Sequence, residues 1–179
     1  MENKEAEILK AAESMVREGG YNSFSFRDIA TAVGVKSSSV HYHFPTKADL
    51  GAAVAKHYTN KFLSSLGDPA QLIGDGKDPI KVYVGAFRDA LVKDKRMCLC
   101  GILGAEIDGL PSKVSVQTKI FFERNIEWLT TAYSSKGSTP CAEIKAMQTL
   151  SLLEGAMITS NVLTDIDVFD KIAELLNQA

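Results

Sequence analysis

The chain has 179 residues, 45% hydrophobic and 23% charged, a composition that excludes a disordered chain and fits one domain or two small domains sharing a core. It contains no apolar run of about 18 residues, the length that a membrane-spanning helix needs. The first residues also lack the apolar stretch of a signal peptide, so we expect a cytoplasmic protein with no membrane partner. The three cysteines, an odd number, agree with a reducing compartment.

The charge of the chain is unevenly distributed. A formal net charge of -2 and a pI of about 5.9 argue against a nucleic-acid partner if the whole chain is counted. Between Ser25 and Lys61, however, five basic residues stand against two acidic ones, and all three histidines of the chain lie in the same segment. This segment is therefore the candidate for binding a polyanion. Its basic residues are Arg27, Lys36, Lys47, Lys56 and Lys61, and its acids are Asp28 and Asp49.

Apolar residues recur at helical spacing and no stretch sustains a two-residue alternation, so we expect an all-α protein with about nine helices. The first helix is predicted at about 3–18, where Gly19-Gly20 ends it. Ser25 and Asp28 have the spacing of a capping box, which predicts that a second helix starts there.

The residues after this second helix predict a helix-turn-helix. Gly34 supplies the left-handed backbone of a tight turn between two helices. In the helix that follows, Val40 and Phe44 are four residues apart and face inward, and Pro45 stops the helix.

The rest of the chain is also predicted to be helical, with one loop marked by Gly67-Asp68-Pro69 and 74–76 and another at 135–138. Two helix starts have an N-cap residue followed by proline, at Asp78-Pro79 and at Thr139-Pro140. A fourth helix is predicted at 47–66, and Thr46 with Asp49 caps its start. The further predicted helices are one that begins at residue 79, a short segment at 98–107, and helices at about 111–133, 141–163 and 168–178.

The helix after Gly34 exposes small and polar side chains suited to contacting DNA, because a helix in the major groove reads base edges while neighbouring donors bind phosphates. Serines 37 to 39 could also be ordinary helix-start residues, and His43 could be a structural residue. His41 and His43 have no third and fourth ligand at suitable spacing, so we expect no metal. The candidate DNA-binding residues are Arg27, Lys36, Ser37, Ser38, Ser39, His41, Tyr42, His43, Thr46 and Lys47.

The run from Phe26 to Leu50 contains Asp28-Ile29-Ala30, Gly34-Val35, Val40, Tyr42-His43-Phe44-Pro45, Lys47 and Leu50. In this pattern the run resembles the DNA-binding domain of the tetracycline-repressor (TetR) family of bacterial transcriptional regulators. The resemblance covers about the first third of the chain. Two positions depart from the commoner pattern, because His41 stands where a tyrosine that contacts phosphate is usual, and Ser37 where lysine is frequent.

The resemblance implies a three-helix DNA-binding head, residues 1–46, on a helical ligand-binding and dimerisation domain, residues 47–179. It also implies a repressor-like homodimer that binds a palindromic double-stranded DNA operator and dimerises through its last two long helices. A small-molecule effector, unknown from the sequence, would tilt the fourth helix and change the spacing of two recognition helices that lie about 34 to 36 Å apart. No cofactor is expected.

For the effector pocket the sequence indicates only a region. Aromatic and apolar residues of the middle helices could line a cavity, or could be ordinary core. Glu106 and Glu154 are acids beside apolar runs that could orient a polar or cationic group, or could be solvated. The candidate pocket residues are Tyr83, Phe87, Glu106, Phe121, Phe122, Trp128 and Met147, with Met157 as a further apolar candidate.

Cys98 and Cys100 suggest an alternative function, a repressor that senses oxidants or electrophiles through cysteine. Lys95 and Arg96 precede them and would favour thiolate. A free cysteine is more often a small buried hydrophobe. We do not expect an enzyme, since the sequence has no Gly-x-Ser-x-Gly elbow and no phosphate-binding loop. An activator or an architectural DNA-binding protein is a third possibility.

Overall fold

The computed structural model describes residues 4–136 and 141–177. In these ranges every regular element is helical, so the predicted all-α class is confirmed. Ten α-helices and two 3-10 turns follow one another in the described residues, the turns at Tyr21–Ser23 and Ile107–Gly109. The helices are α1 (Lys4–Gly19), α2 (Phe26–Val33), α3 (Ser37–His43), α4 (Lys47–Leu66), α5 (Pro69–Gly74), α6 (Pro79–Val92), α7 (Leu99–Ala105), α8 (Ser112–Ser135), α9 (Ala142–Leu163) and α10 (Ile166–Asn177).

The contacts of the chain fall into two compact units. Unit 1 is formed by the described residues of Met1–Lys61 and by Leu99–Phe121, and unit 2 by Phe62–Cys98 and the described residues of Phe122–Ala179. The helices α4 and α8 each contribute residues to both units. The two units are defined by contacts between residues and not by function. The division into a DNA-binding and a ligand-binding domain after residue 46 therefore stays a prediction.

The helix-turn-helix of unit 1 is built from local signals that the structure satisfies. The Ser25 hydroxyl accepts a hydrogen bond from the Asp28 backbone N–H, and Asp28 accepts one from the Ser25 backbone N–H, so the predicted capping box is present. Thr46 and Asp49 make the same reciprocal pair at the start of α4. Local hydrogen bonds therefore fix where α2 and α4 begin.

Gly34 ends α2 and sets the direction of α3. Its φ of 71° and ψ of 36° lie in the left-handed region, where a side chain is strained, and its N–H bonds back to Ala30 and Thr31. The Val35 N–H also returns to the Ala30 carbonyl, at 2.9 Å. The last carbonyls of α2 are thus satisfied while the chain turns.

The core of unit 1 joins the amino-terminal helices to residues 99–121. In this unit Ile8, Ile29 and Leu50 are fully buried, and so are Leu99 of α7 and Val114 of α8. Burying a side chain of this size stabilises the fold by about 1.5 to 3 kcal/mol. The amino-terminal head is therefore packed against two later segments of the chain.

Unit 2 buries the inner faces of α6, α9 and α10. Tyr83, Leu153 and Phe169, one from each helix, have no exposed surface. On the outside, the Arg88 guanidinium makes two hydrogen bonds to Asp170, at 2.7 and 2.9 Å, which link α6 to α10. No helix in the described part of the chain has the length and apolar character to cross a membrane.

The predicted helix positions agree with the structure except around residue 70. The stretch predicted as one loop contains α5, whose Asp68-Pro69 start is the same cap-then-proline signal that was recognised at Asp78-Pro79. The last helix begins two residues earlier than predicted. The predicted starting residue Asn3, the loop residues Gly137-Ser138, the Thr139-Pro140 cap and the end at Gln178 lie outside the described residues.

Candidate functional site

The exposed face of α3 carries most of the predicted DNA contacts. Val40 is fully buried and Phe44 nearly so, and the two anchor the helix as predicted. Tyr42 points outward. With 86% of its surface exposed, it has the highest exposed fraction among the large hydrophobic residues of the described chain. Lys36 and Ser38 are exposed, and Ser37 and Ser39 are half-buried beside them. A short helix thus presents one aromatic and several small polar groups to solvent.

The two histidines of α3 are held by ring contacts. His41 lies edge-on against Phe26 at 4.4 Å between ring centroids, which ties α3 to the start of α2. His43 is half-buried and meets the Tyr42 ring edge-on at 5.3 Å. Both rings therefore have structural partners within the head, and their contact with DNA stays a prediction.

The predicted phosphate-binding residues at the starts of α2 and α4 have different surroundings. Arg27 is exposed. The Thr46 hydroxyl donates to Asp49 at 2.7 Å, and Asp49 also accepts a hydrogen bond from Lys113 at 2.6 Å. The hydrogen bond from Lys113, followed by the one from Thr46, lowers the pKa of Asp49. An acid thus stands at the start of α4, where the sequence predicted phosphate binding.

Lys47 is half-buried and folds over aromatic rings. Its ammonium lies 4.9 Å from the ring centroid of Tyr21 and 4.5 Å from that of Phe24, both cation–π distances. Partial burial lowers the pKa of Lys47, and the nearby charge of Asp28 works in the opposite direction. Lys47 therefore packs on two aromatic rings of the head.

Glu106 lies in unit 1, against the backbone of the head. Its Oε2 accepts a hydrogen bond of 2.8 Å from the Tyr21 N–H. Gly20, with φ of 81°, leaves the space that the carboxylate occupies, and a Cβ there would overlap with it. Glu106 was predicted as a pocket residue, and its observed partner is the turn that follows α1.

Unit 2 contains an aromatic cluster, which we define as Phe62, Tyr83, Phe87 and Trp128. The Tyr83 ring is at its centre, 5.7 Å from Phe62, 5.3 Å from Phe87 and 5.4 Å from Trp128 between centroids. The Tyr83 hydroxyl donates to Asn125 Oδ1 at 2.7 Å, and burial raises the pKa of Tyr83 well above its ordinary value. Three of the candidate pocket residues are thus brought together.

Glu154 is a buried acid in the same unit. Both of its carboxylate oxygens are buried without a hydrogen-bond partner. Burial raises the pKa of Glu154 to about 7, and the nearby Cys98 thiol lowers it in part. The charge of Glu154 also contributes to the raised pKa of Tyr83.

The other pocket candidates have different surroundings. Phe121 belongs to unit 1, where its ring lies 5.9 Å from that of Tyr58. Phe122 is half-buried. Met147 is 44% exposed and lines an open groove of about 490 Å³ between α8 and α9. The groove is otherwise lined by Glu123, Ile126, Glu127, Thr130, Thr131 and Glu143.

The cysteines differ in accessibility. Cys98 and Cys100, the redox candidates, are buried, whereas Cys141 is exposed. The described residues contain no group of three or more histidine, cysteine or acidic side chains that could hold a metal ion.

The outer face of α9 carries an exposed apolar stripe. Ile144, Met147, Ile158 and Val162 are separated by 3, 11 and 4 residues, close to whole helical turns, so these four share one side of the helix. Gly155 lies in the middle of this stripe, with open space around its Cα. The exposed apolar residues of α9 are Ile144, Met147, Leu152, Ile158, Val162 and Leu163.

Comparison with known proteins gives the family. A family model of bacterial regulatory proteins, tetR family, matches residues 8–54. The crystal structure of a TetR transcriptional regulator from Legionella pneumophila is 30% identical, covers 99% of this chain and 97% of its own, and has a TM-score of 0.88. The chain belongs to the TetR family.

Other TetR-family structures agree with this assignment. A regulator from Agrobacterium tumefaciens is 27% identical, with 98% of this chain and 96% of that chain covered and a TM-score of 0.85. The reduced form of E. coli NemR has the same fold at 15% identity, with 98% and 96% of the two chains covered and a TM-score of 0.82. No curated protein matches the sequence. The chain is therefore a TetR-family transcriptional regulator.

Several residues of the site were not predicted from the sequence. Asn125 and Phe62 complete the surroundings of Tyr83, and Gly20 holds Glu106. Glu106 is 85 residues away in sequence from Tyr21, whose N–H it binds, and Asn125 is 42 residues away from Tyr83. Only the Gly19-Gly20 pair carried a signal, and it was interpreted as a helix end.

The contact between Gly20 and Glu106 should add to the backbone strain as a second cost of substituting Gly20. Gly20→Ala should lower the free energy of unfolding by about 3 kcal/mol, because a Cβ overlaps with the carboxylate and is strained at positive φ. In a Glu106→Ala background, the same substitution should cost only the backbone strain, about 1 to 2 kcal/mol. Urea unfolding of the four proteins measures this coupling.

Gly85→Ala is the matched control for Gly20→Ala, since a Cβ at Gly85 in α6 meets open space and should change stability by less than about 1 kcal/mol. An equal cost of Gly20→Ala in both backgrounds would show that Glu106 does not occupy the space beside Gly20.

The raised pKa of Glu154 predicts a pH-dependent stability. The unfolded chain releases this proton near pH 4.5 and the folded chain near pH 7, so the stabilisation is complete below pH 4.5 and is lost as the pH rises through 7. The wild type should therefore lose on the order of 3 kcal/mol, relative to Glu154→Gln, between pH 4.5 and pH 8. Urea unfolding across this range measures the difference, with the exposed Glu174→Gln as control. A difference that stays constant with pH would contradict the prediction.

Proposed function

We propose that the chain is a repressor that binds a palindromic double-stranded DNA operator as a homodimer and leaves it when a small-molecule effector binds. The observation that carries the proposal is the outward face of α3. The helix is anchored by Val40 and Phe44, while Tyr42 and the small serines beside it are available to a major groove.

The remaining DNA contacts follow from the position of each side chain. Lys36 is exposed at the start of α3 and Arg27 at the start of α2, where they would contact phosphates on either side of the groove. Ser37 and Ser39 are small enough to let α3 approach base edges closely. Lys47 would contact phosphate only by leaving the rings of Tyr21 and Phe24, so its contribution should be smaller than that of Lys36.

DNA binding is tested by selecting operator sequences from genomic DNA and measuring their affinity for variants. Tyr42→Ala should weaken binding more than tenfold, since it removes the most exposed aromatic of α3. Lys36→Ala should weaken binding about tenfold for all sequences and reduce the salt dependence by about one phosphate contact. Lys77→Ala is the control, because Lys77 is an exposed lysine of unit 2. If the three variants bind alike, α3 is not the recognition helix.

The exposed stripe of α9 supports the homodimer. Val162 is 75% exposed and Leu163 60%, values that an isolated apolar side chain can have but that a continuous row rarely has in a monomer. The row from Ile144 to Val162 extends over about 27 Å of helix. Gly155 in its middle permits close approach of a second helix. A second copy of the chain, packing α8 and α9 against their equivalents, would cover this face.

The dimer is tested by sedimentation of the full chain. The wild type should sediment with twice the monomer mass of 19.4 kDa at micromolar concentration. Val162→Glu should weaken association more than tenfold without unfolding the monomer, because the side chain contacts solvent in the isolated chain. Val92→Glu, at an exposed apolar position of α6, should leave the dimer intact. Equal association of the two variants would exclude the α9 stripe as the interface.

Release by an effector would act through α4. This helix begins at the head and continues into unit 2, so a ligand that displaces its second half would tilt its first half. By linkage, effector and operator must weaken each other by the same factor. An operator affinity that does not change at saturating effector would exclude this mechanism.

The alternative is a repressor that senses oxidants or electrophiles through Cys98 or Cys100. A structure of the same fold is that of the reduced form of E. coli NemR, which at 15% identity supports the fold alone. Burial of both thiols weighs against direct modification. Operator binding before and after mild oxidant, in the wild type and in Cys98→Ser and Cys100→Ser, tests the alternative. No oxidant-dependent release in the wild type would exclude it.

A further inference from the structure

The buried polar groups of the described chain have partners, with one exception. Tyr83 donates to Asn125, the Tyr133 and Thr149 hydroxyls share a 2.6 Å hydrogen bond, and the Ser160 hydroxyl donates to the Asp165 carbonyl at 2.6 Å. Among the described residues, the two oxygens of Glu154 are the buried side-chain oxygens or nitrogens without a hydrogen-bond partner. Natural proteins rarely leave such a group unsatisfied without a functional reason.

Glu154 has no structural role that would explain its burial. It lies in the middle of α9, away from both helix ends, so it caps nothing. No described lysine or arginine is among the groups that shift its pKa, which are its burial and the Cys98 thiol. A buried carboxylate without a cation is costly, and an apolar residue at this position would avoid that cost.

Glu154 lies on α9, which packs against α6, the helix that carries Tyr83 and Phe87. Its charge acts on Tyr83, the central ring of the aromatic cluster, and the Tyr83 hydroxyl is already engaged with Asn125. Tyr83 therefore does not donate to Glu154. The faces and edges of Phe62, Phe87 and Trp128 lie around Tyr83 at centroid distances below 6 Å. Aromatic rings attract cations, and so does a carboxylate.

We propose that Glu154 is the anionic group of the effector site and that the effector carries a protonated nitrogen with N–H donors, a primary amine or an amidine, attached to an apolar group that packs on the aromatic cluster. This proposal rests on the proposed function, a regulator that a small molecule releases. It extends that function by assigning the chemical class of the ligand.

The two unpartnered oxygens decide between ligand classes. An ammonium or amidinium donates charge-assisted hydrogen bonds, which are about twice as strong as neutral ones, and satisfies both oxygens. A quaternary ammonium has no N–H to donate. An alcohol donates one neutral hydrogen bond and leaves the second oxygen unsatisfied, and a carboxylate or phosphate is repelled.

The site can be tested without knowledge of the natural effector. Trp128 is the single tryptophan of the chain and belongs to the aromatic cluster, so its fluorescence reports binding there. Benzylamine and benzamidine serve as probes, with benzyl alcohol and benzoate as neutral and anionic analogues, all titrated against the full chain at pH 8. At least one of the two cationic probes should change the fluorescence of the wild type and bind at least tenfold more tightly than its analogues.

The variants assign the effect to one carboxylate. Glu154→Gln, of nearly the same shape, should weaken the cationic probe at least tenfold and leave benzyl alcohol unchanged. Glu174→Gln, at an exposed acid of α10, should bind the probes as the wild type does. Circular dichroism of both variants confirms that the helices are intact. Equal affinities of cationic and neutral probes, retention of the cationic probe by Glu154→Gln, or no binding of either cationic probe to the wild type would overturn the proposal.

Operator binding is measured in a separate experiment, which distinguishes failure of the proposed Glu154 site from failure of the proposed release by a small molecule. Binding of the cationic probe that depends on Glu154 but leaves operator affinity unchanged supports the site and contradicts release by this ligand class. Loss of the operator on addition of benzoate or benzyl alcohol, with no effect of either cationic probe, supports release and overturns the assignment of Glu154.

Discussion

The carboxylate of Glu106 against the Gly20–Tyr21 backbone is the contact on which the arrangement of unit 1 depends. It connects the residue after α7 to the turn after α1, and Gly20 makes room for it by having no side chain. Lys113 and Asp49 make a second link, from the start of α8 to the start of α4. The DNA-binding head therefore shares a unit with residues 99–121. The side chain of Glu106 thus links residues 99–121 to the turn that follows α1.

Within the head, local and tertiary signals agree. Capping boxes start α2 and α4, a left-handed glycine ends α2, and the buried residues of α3 are the two that helical spacing selects. Such agreement is typical of sequences that specify one structure. On α3 the ring of His41 packs on Phe26 and that of His43 meets Tyr42, while Lys36 and Ser38 are exposed. Side chains that the fold does not use are the ones that DNA recognition can use.

Unit 2 is distinguished by its buried polar side chains. Its helices bury their polar groups in pairs, such as Tyr83 with Asn125 and Tyr133 with Thr149, and the unpaired Glu154 is conspicuous for that reason. An unpaired buried acid lowers the stability of the free protein above neutral pH. The same instability is the free energy that a cationic ligand would recover on binding, because a ligand that binds only the folded state stabilises it. The exposed stripe of α9 is likewise unfavourable in an isolated chain and favourable once covered.

The sequence by itself determined the all-helical class, the helix-turn-helix, its caps and most helix starts, because these features depend on residues three or four positions apart. It also determined the family, through the run from Phe26 to Leu50 and its TetR pattern. The helix α5 could also have been predicted from the sequence, because its Asp68-Pro69 start is a local helix-start signal.

The tertiary structure decided the roles of residues that look alike in sequence. Glu106 and Glu154 are both acids beside apolar runs, yet the first binds a backbone N–H that lies 85 residues away in sequence and the second has no hydrogen-bond partner. Phe121 and Phe87 are both buried aromatics, yet they belong to different units. A partner at long sequence separation is chosen by how whole helices pack, and no local pattern contains that information.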